Sequence, residues 1–263
     1  MKMTFSEYIS NPAGVKNAVY SHREMYMAMY TEKLNKILVR ENGDIKYEFF
    51  KSKDKYYIYF KIPSEVLEKF YYDVVVEFYP KYVATSLRKT LKDYNVRFYS
   101  NDPAFVYTFA HAFIKNDMFI KDLEPKMSKE AIKHKATERN PKDEVGYVKS
   151  LFFAYLIMED RGLFNKIKFD FCPEYDKKYL LSKIMDADEK IKLRQEGASS
   201  VHKKKQQIQQ AHPDSDNVKK SKNSNKITSL TGFGRMTTTA KTPVMKKTSK
   251  TSKTLGIKKT KRI

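Results

Sequence analysis

Aromatic residues are confined to one part of this chain, and that division limits what it can fold into. Of the 36 Phe and Tyr residues in 263, only Phe233 lies beyond residue 200. Each buried aromatic removes roughly 150–250 Å² from water, so residues 1–200 hold material for a substantial core. Residues 201–263 have little to set against the backbone entropy lost on ordering. That segment is expected to be disordered by itself. Charge divides at the same place: of a net +21, +15 falls on residues 201–263 and only +6 on the rest.

Cys172 is the single cysteine, which excludes an intramolecular disulfide and every multi-cysteine metal motif and fits a reducing compartment. No apolar run approaches the ~20 residues of a spanning helix. The opening MKMTFSEYIS lacks the hydrophobic stretch of a signal peptide. The expectation is a soluble protein with no membrane partner and no general secretory export.

Thr4 and Glu7 have capping-box spacing, which predicts a short helix over Phe5–Ile9, stopped by Asn11-Pro12. Ser21 and Glu24 repeat that spacing. Behind them Tyr26, Met29, Tyr30, Leu34, Ile37 and Leu38 recur at helical intervals, predicting an amphipathic helix over 22–40 that ends at Asn42-Gly43. Its polar face carries Arg23, Glu24, Glu32, Lys33, Lys36, Arg40 and Glu41, suited to solvent or to a subunit contact. Ile45–Phe50 and Tyr56–Ile62 are rich in strand formers and flank Ser52-Lys-Asp-Lys55, a hairpin with a loop of four or five residues. Ser64 can cap a short helix to Phe70. Tyr72–Tyr79 (YDVVVEFY) reads as a third strand stopped by Pro80. A helix around Thr85–Tyr94 and a strand at Val96–Tyr99 complete this part.

The second part reads as helical. Asp102-Pro103 pairs a capping carboxylate with a first-turn proline and opens a helix to about Lys115. Lys121–Lys142 is a charged surface excursion with one short helix near Ser128–His134. Asp143 is placed to cap a helix over Glu144–Arg161, ended by Gly162 and apolar nearly all round at its centre, so buried on most sides. A charged helix near Lys177–Gln195 leads into the C-terminal segment. The fold class is therefore α+β. A small mixed sheet packed with helices occupies 1–100, a helical part occupies 101–195, and an extended basic arm, disordered or ordered by a partner, occupies 196–263.

The arm is the most informative feature. From Asn217 onward it has 14 Lys or Arg and no acid. Such a strand suits a polyanion, because each phosphate neutralised releases condensed counterions. The contacts expected to do this are Lys219, Lys220, Lys222, Lys226, Lys241, Lys246, Lys247, Lys258, Lys259, Lys261 and Arg262. At about 3.3 Å per residue, residues 217–263 extended would reach roughly 150 Å. One apolar island, Ile227–Met236, interrupts the basic run. Leu230, Phe233, Arg235 and Met236 read there as a docking peptide that orders on a partner. With one aromatic the arm offers no stacking platform for bases, so duplex phosphates or carboxylates are its expected targets.

Catalytic and metal constellations are sparse. No pair among His22, His111, His134, His202 and His212 makes an H-x-x-x-H or H-E-x-x-H pattern, and His111, amid Phe109, Ala110, Ala112 and Phe113, reads as a core or boundary residue. Asp170, Glu174 and Asp176 around Cys172-Pro173 read as a charged loop. Asp73 and Glu77 share one face of the third strand, a weak nuclease signal because Tyr79 stands where a lysine is needed. There is no phosphate-binding glycine loop and no G-x-S-x-G. No cofactor, metal or catalytic residue is expected.

Three stretches carry a resemblance: Met3-Thr-Phe-Ser-Glu-Tyr-Ile-Ser-Asn-Pro12, Asn95–Phe113 (NVRFYSNDPAFVYTFAHAF) and Gly146-Tyr-Val-Lys-Ser-Leu-Phe-Phe-Ala-Tyr155. Together with the Lys-, Tyr- and Asn-rich style, they resemble a structural protein of short-tailed crAss-like phages of gut Bacteroides. The resemblance implies a virion component in the connector between portal and tail. Such a subunit forms a ring with itself and sends an arm to the phage portal and adjacent tail ring proteins, with double-stranded DNA as a further partner. The alternative expectation is a basic nucleic-acid-binding protein acting in phage genome packaging or replication.

Overall fold

The computed structural model describes residues 2–10, 23–40 and 45–211. Helix α1 (Phe5–Ile9) forms where the capping box placed it, with the Thr4 hydroxyl accepting from the Glu7 amide and the Glu7 carboxylate accepting from the Thr4 amide. Helix α2 (Arg23–Arg40) follows its predicted span. It buries Leu34 and Ile37 and sets Tyr30 against Tyr147, Phe152 and Phe153. Part of its charged face is engaged: Lys33 lies 3.4 Å from Glu65, and the Arg40 guanidinium donates to the carbonyls of Ser64 and Glu65.

Strands β1 (Tyr47–Ser52), β2 (Lys55–Pro63), β3 (Tyr71–Tyr79) and β4 (Asn95–Ser100) make a sheet in the order β1-β2-β3-β4. The sheet, expected to be mixed, is antiparallel throughout. Each strand pairs with the next in sequence, so no parallel crossover is needed. The first hairpin turns on two residues, not four or five, because Ser52 pairs with Lys55. Lys53 takes the tight turn at φ 53°.

One sheet face, carrying Ile58, Phe60, Val74, Val76, Phe78, Val96 and Phe98, is fully buried. Phe5 stacks edge-on to Phe98 at 5.0 Å and to Tyr155 at 5.1 Å. The second half begins at Pro103. A π-helical stretch, Phe105–Phe109, runs into α4 (Ala110–Lys115), and the Asp102 carboxylate accepts from the Ala104 amide at 2.9 Å. Helix α5 (Lys129–Lys133) lies within the charged excursion, which Leu123, Met127 and Ala131 nonetheless anchor to the core.

Helix α6 (Lys149–Asp160) buries every side chain from Ser150 to Met158. It starts at Lys149, after the expected cap, because the Tyr8 hydroxyl donates to the Gly146 carbonyl and accepts from the Val148 amide, holding 146–148 extended. Gly162 ends it at φ +60°, as expected of a C′ glycine.

Two predicted helices shorten or vanish. Ser64 does accept from the amides of Val66 and Leu67, but the loop closes by a Ser64 amide to Phe70 carbonyl bond at 2.7 Å and no helix forms. The Thr85–Tyr94 helix reduces to α3 (Val83–Ser86), since 89–91 is recruited by backbone bonds to Phe164 and Lys166. The last predicted helix is two, α7 (Lys177–Lys183) and α8 (Ala187–Ala211), the latter running on beyond residue 195. The described residues all lie within one compact unit, which ends at His212.

Candidate functional site

The second sheet face is polar yet buried. Tyr57 and Tyr59 on β2, Asp73, Val75 and Glu77 on β3 and Tyr99 on β4 are each under 5 % exposed. Over them lie a 3₁₀ turn, Lys121–Lys126, and the segment leading into α7. Tyr175 stacks on Tyr57 at 4.1 Å, and the Tyr99 hydroxyl donates to the Lys126 carbonyl.

Asp73 and Glu77 do share this face, but their charge is used within the fold. Asp73 Oδ1 accepts from the Tyr59 hydroxyl at 2.7 Å, and Oδ2 accepts from the Asn101 amide at 2.8 Å and the Met185 amide at 3.3 Å. Glu77 accepts from the Tyr57 hydroxyl at 3.2 Å and pairs with Lys55 at 2.9 Å and Arg97 at 3.6 Å. Arg97 also pairs with Asp117 at 2.8 Å and lies over the Tyr79 ring. Buried carboxylates with several donors each are committed to holding the fold together.

Asp143 does not cap α6. It sits at φ 56° with its side chain 6 % exposed, bonded to His111 Nδ1 at 2.9 Å and Lys115 Nζ at 3.0 Å. His111 is thus a boundary residue, tied to a carboxylate. Asp176, from the acidic loop, caps α7 by accepting from the Lys178 amide. Among the described residues no group of three or more His, Cys, Asp or Glu is placed to hold a metal ion.

A cavity of about 420 Å³ opens between the β2–β3 loop, the start of the 103–115 helix, α6 and α8, lined by Tyr72, Asp102, Arg139, Lys149 and Arg194 among others. Its charges are mostly matched: Lys149 pairs with Glu65, and Arg194 Nε donates to the Tyr72 hydroxyl at 2.8 Å. Burial pushes the Asp102 carboxyl up, against the Ala104 amide that favours its charged form.

Exposed apolar side chains concentrate elsewhere. Tyr82, Val83 and Leu87 come from the segment around α3, and Ile167 and Phe171 from the 3₁₀ turn Lys166–Phe169 and its exit; all five are more than 60 % exposed. The two segments are stitched together: the Lys166 amide donates to the Lys89 carbonyl at 2.9 Å, and Lys166 Nζ donates to the Ser86 carbonyl at 2.8 Å. Sequence reasoning missed this surface. The only signal was apolar residues inside or just beside segments read as helix or charged loop. The predicted docking residues Leu230, Phe233, Arg235 and Met236 and all eleven polyanion contacts lie outside the described residues.

What the fold and these sites define is an α+β protein with a four-stranded antiparallel sheet between helices and a thin polar cover. Neither family models, curated proteins nor solved structures yield a match to this chain. Among the described residues no helix is long and apolar enough to cross a membrane.

Proposed function

We propose that the chain is a non-enzymatic virion structural protein, a ring-forming subunit of a portal–tail connector of the crAss-like type. Its basic C-terminal segment extends onto neighbouring proteins or the genome. The observation that carries this reading is the exposed apolar surface of Tyr82, Val83, Leu87, Ile167 and Phe171. Large apolar side chains left exposed on a folded domain favour an interaction site, and a repeated subunit contact is the partner a ring requires. The engagement of Asp73 and Glu77 inside the fold argues in the same direction, because it leaves the nuclease reading no available carboxylate pair.

Native mass spectrometry of the full chain, alone and with portal protein, tests the proposal. Discrete oligomers or portal-bound rings are expected, and a Leu87→Asp, Phe171→Asp double variant should shift the population to monomer while keeping its circular dichroism. A chain that stays monomeric with portal present and is missing from virion mass spectra refutes it.

The concentration of charge beyond residue 200 favours a second reading, a duplex-binding protein of packaging or replication. It predicts duplex affinity whose logarithm falls with log salt at a slope near −0.9 per phosphate contacted, abolished by deleting 217–263. Salt-insensitive binding to portal, reproduced by a peptide spanning 227–236, favours the connector.

A further inference from the structure

The cavity of about 420 Å³ beside α6 holds two guanidinium groups that no carboxylate among the described residues meets within ion-pair distance. Arg194, from α8, donates through Nε to the Tyr72 hydroxyl at 2.8 Å. That bond orients the group and leaves the terminal amino groups of its fork without a partner among the described residues. Arg139, from the segment before Asp143, lines the same cavity and makes no ion pair or hydrogen bond among the described residues.

The other charges of the lining are engaged. Lys149 pairs with Glu65, which Lys33 of α2 also reaches at 3.4 Å. Asp102 accepts from the Ala104 amide at 2.9 Å and acts on Lys149 and Arg194 through space, outside ion-pair distance. The lining thus sets three cations, Arg139, Lys149 and Arg194, against two carboxylates, Glu65 and Asp102, a surplus of one positive charge. Lys149 and Ser150 also open α6, whose cap residue Val148 lends no side-chain acceptor, so the positive end of the helix dipole adds to that surplus. Between the charges the wall is apolar, with Ile62 and Phe153 buried and Val66 61 % exposed.

We propose that this cavity binds a carboxylate carried on an apolar stem, the acid held end-on by the Arg194 fork and met by Arg139, the stem lying against Val66. Two carboxylate oxygens match the two terminal amino groups of a planar guanidinium, and one negative charge matches a surplus of one. A phosphomonoester carries about two charges and, like a nucleic-acid backbone, brings no apolar stem to cover Val66. The volume is at the small end of the ~300–1,000 Å³ that ligand pockets span, room for one ring or one side chain. A free organic acid and a glutamate flanked by apolar residues on a partner share this chemistry. No lining residue belongs to the exposed apolar surface around Leu87 and Phe171, so the site stands apart from the assembly reading.

The test titrates the full chain with 3-phenylpropanoate, with uncharged 3-phenylpropanamide as the control. At about ten times its dissociation constant the acid should raise the melting temperature by about 3–6 °C, and the amide should leave it unchanged. Phenylglyoxal labelling, mapped by peptide mass, should slow at Arg139 and Arg194 when the acid is present and stay constant at the exposed Arg88. Arg194→Lys keeps the charge and loses the fork, and Arg139→Gln removes the second guanidinium; each should abolish the thermal shift with circular dichroism unchanged. A peptide blocked at both ends, with one Glu between two Phe, separates the two sources. Protection by the peptide alone assigns the carboxylate to a partner protein, and protection by the free acid alone assigns it to a small organic acid; both support the site. Equal stabilisation by the amide or by sulfate at matched ionic strength, a shift retained in both variants, or protection by neither probe overturns the proposal.

Discussion

Asp143 concentrates several physical demands on one side chain. Its backbone is left-handed, a region that Asp and Asn tolerate and most residues do not. Its carboxylate is buried, which pushes its pKa up, yet the hydrogen bonds from His111 and Lys115 outweigh burial and hold it below the ordinary carboxylate range. A carboxyl depressed in the folded state stabilises the fold above its unfolded value, about 3.9, and that contribution disappears as pH falls through the lower folded value. Asp143→Asn keeps the backbone preference and removes the charge. It should cost about 1–3 kcal/mol at pH 7 and flatten the loss of stability as pH falls below about 4, both read from urea melts across pH. Asp73 allows a companion test. Replacement by Ala leaves the Tyr59 hydroxyl and the Asn101 amide unpartnered in the sheet interior and should cost roughly 1–3 kcal/mol for each group stranded. Asp73→Asn, which keeps one acceptor oxygen, should cost less in the same melts. Equal losses would mean that the hydrogen bonds to Tyr59 and Asn101 contribute nothing.

Helix termination at Gly162 shows what local sequence can specify. The residue sits at φ +60°, and a Cβ there would meet nothing within 4 Å. Gly162→Ala therefore isolates the conformational cost and should lower stability by about 1–2 kcal/mol, seen as a lower urea midpoint at unchanged slope. The elements legible in the sequence were those whose ends and faces are fixed by neighbours in the chain: α1 by its capping box, α2 by its apolar stripe, β3 by its run of β-branched and aromatic residues. Where distant groups decide, the reading failed. Asp143 followed by a long apolar run looks like a cap, but Tyr8, far away in sequence, holds 146–148 extended and His111 claims the carboxylate. Leu91 and Lys89 look helical beside Thr85, yet their backbones bond to 164–166. The common face of Asp73 and Glu77 was visible from their spacing of four. Their tyrosine partners required the β2–β3 register, in which Tyr57 stands directly opposite Glu77.

At the scale of the whole chain, the unit spanning residues 1–212 is closed on its own core. The sheet has one face against α1, α4 and α6 and the other beneath the 3₁₀ turn and the approach to α7, and among the described residues every member of that core lies before residue 192. Stability of this unit should then owe little to residues 213–263, whose contribution to the protein is charge and the apolar island around Phe233. Removing 213–263 should leave the melting temperature of the remaining chain within about 1 °C of the full chain at moderate salt, since a change of 1 kcal/mol moves Tm by only ~2–4 °C in a domain of this size. The same deletion should abolish salt-dependent duplex retention. Trypsin offers an independent route to this division, because the basic segment carries a cleavage site every few residues while the sheet and α6 lie inside the fold. Brief digestion should yield a persistent fragment that ends within or just after α8. A fall of many degrees on truncation, or basic-segment peptides that resist trypsin as long as those of α6, would show that the two parts of the chain support one another's folding. The assignment of assembly contacts to one part and polyanion contacts to the other would then fail.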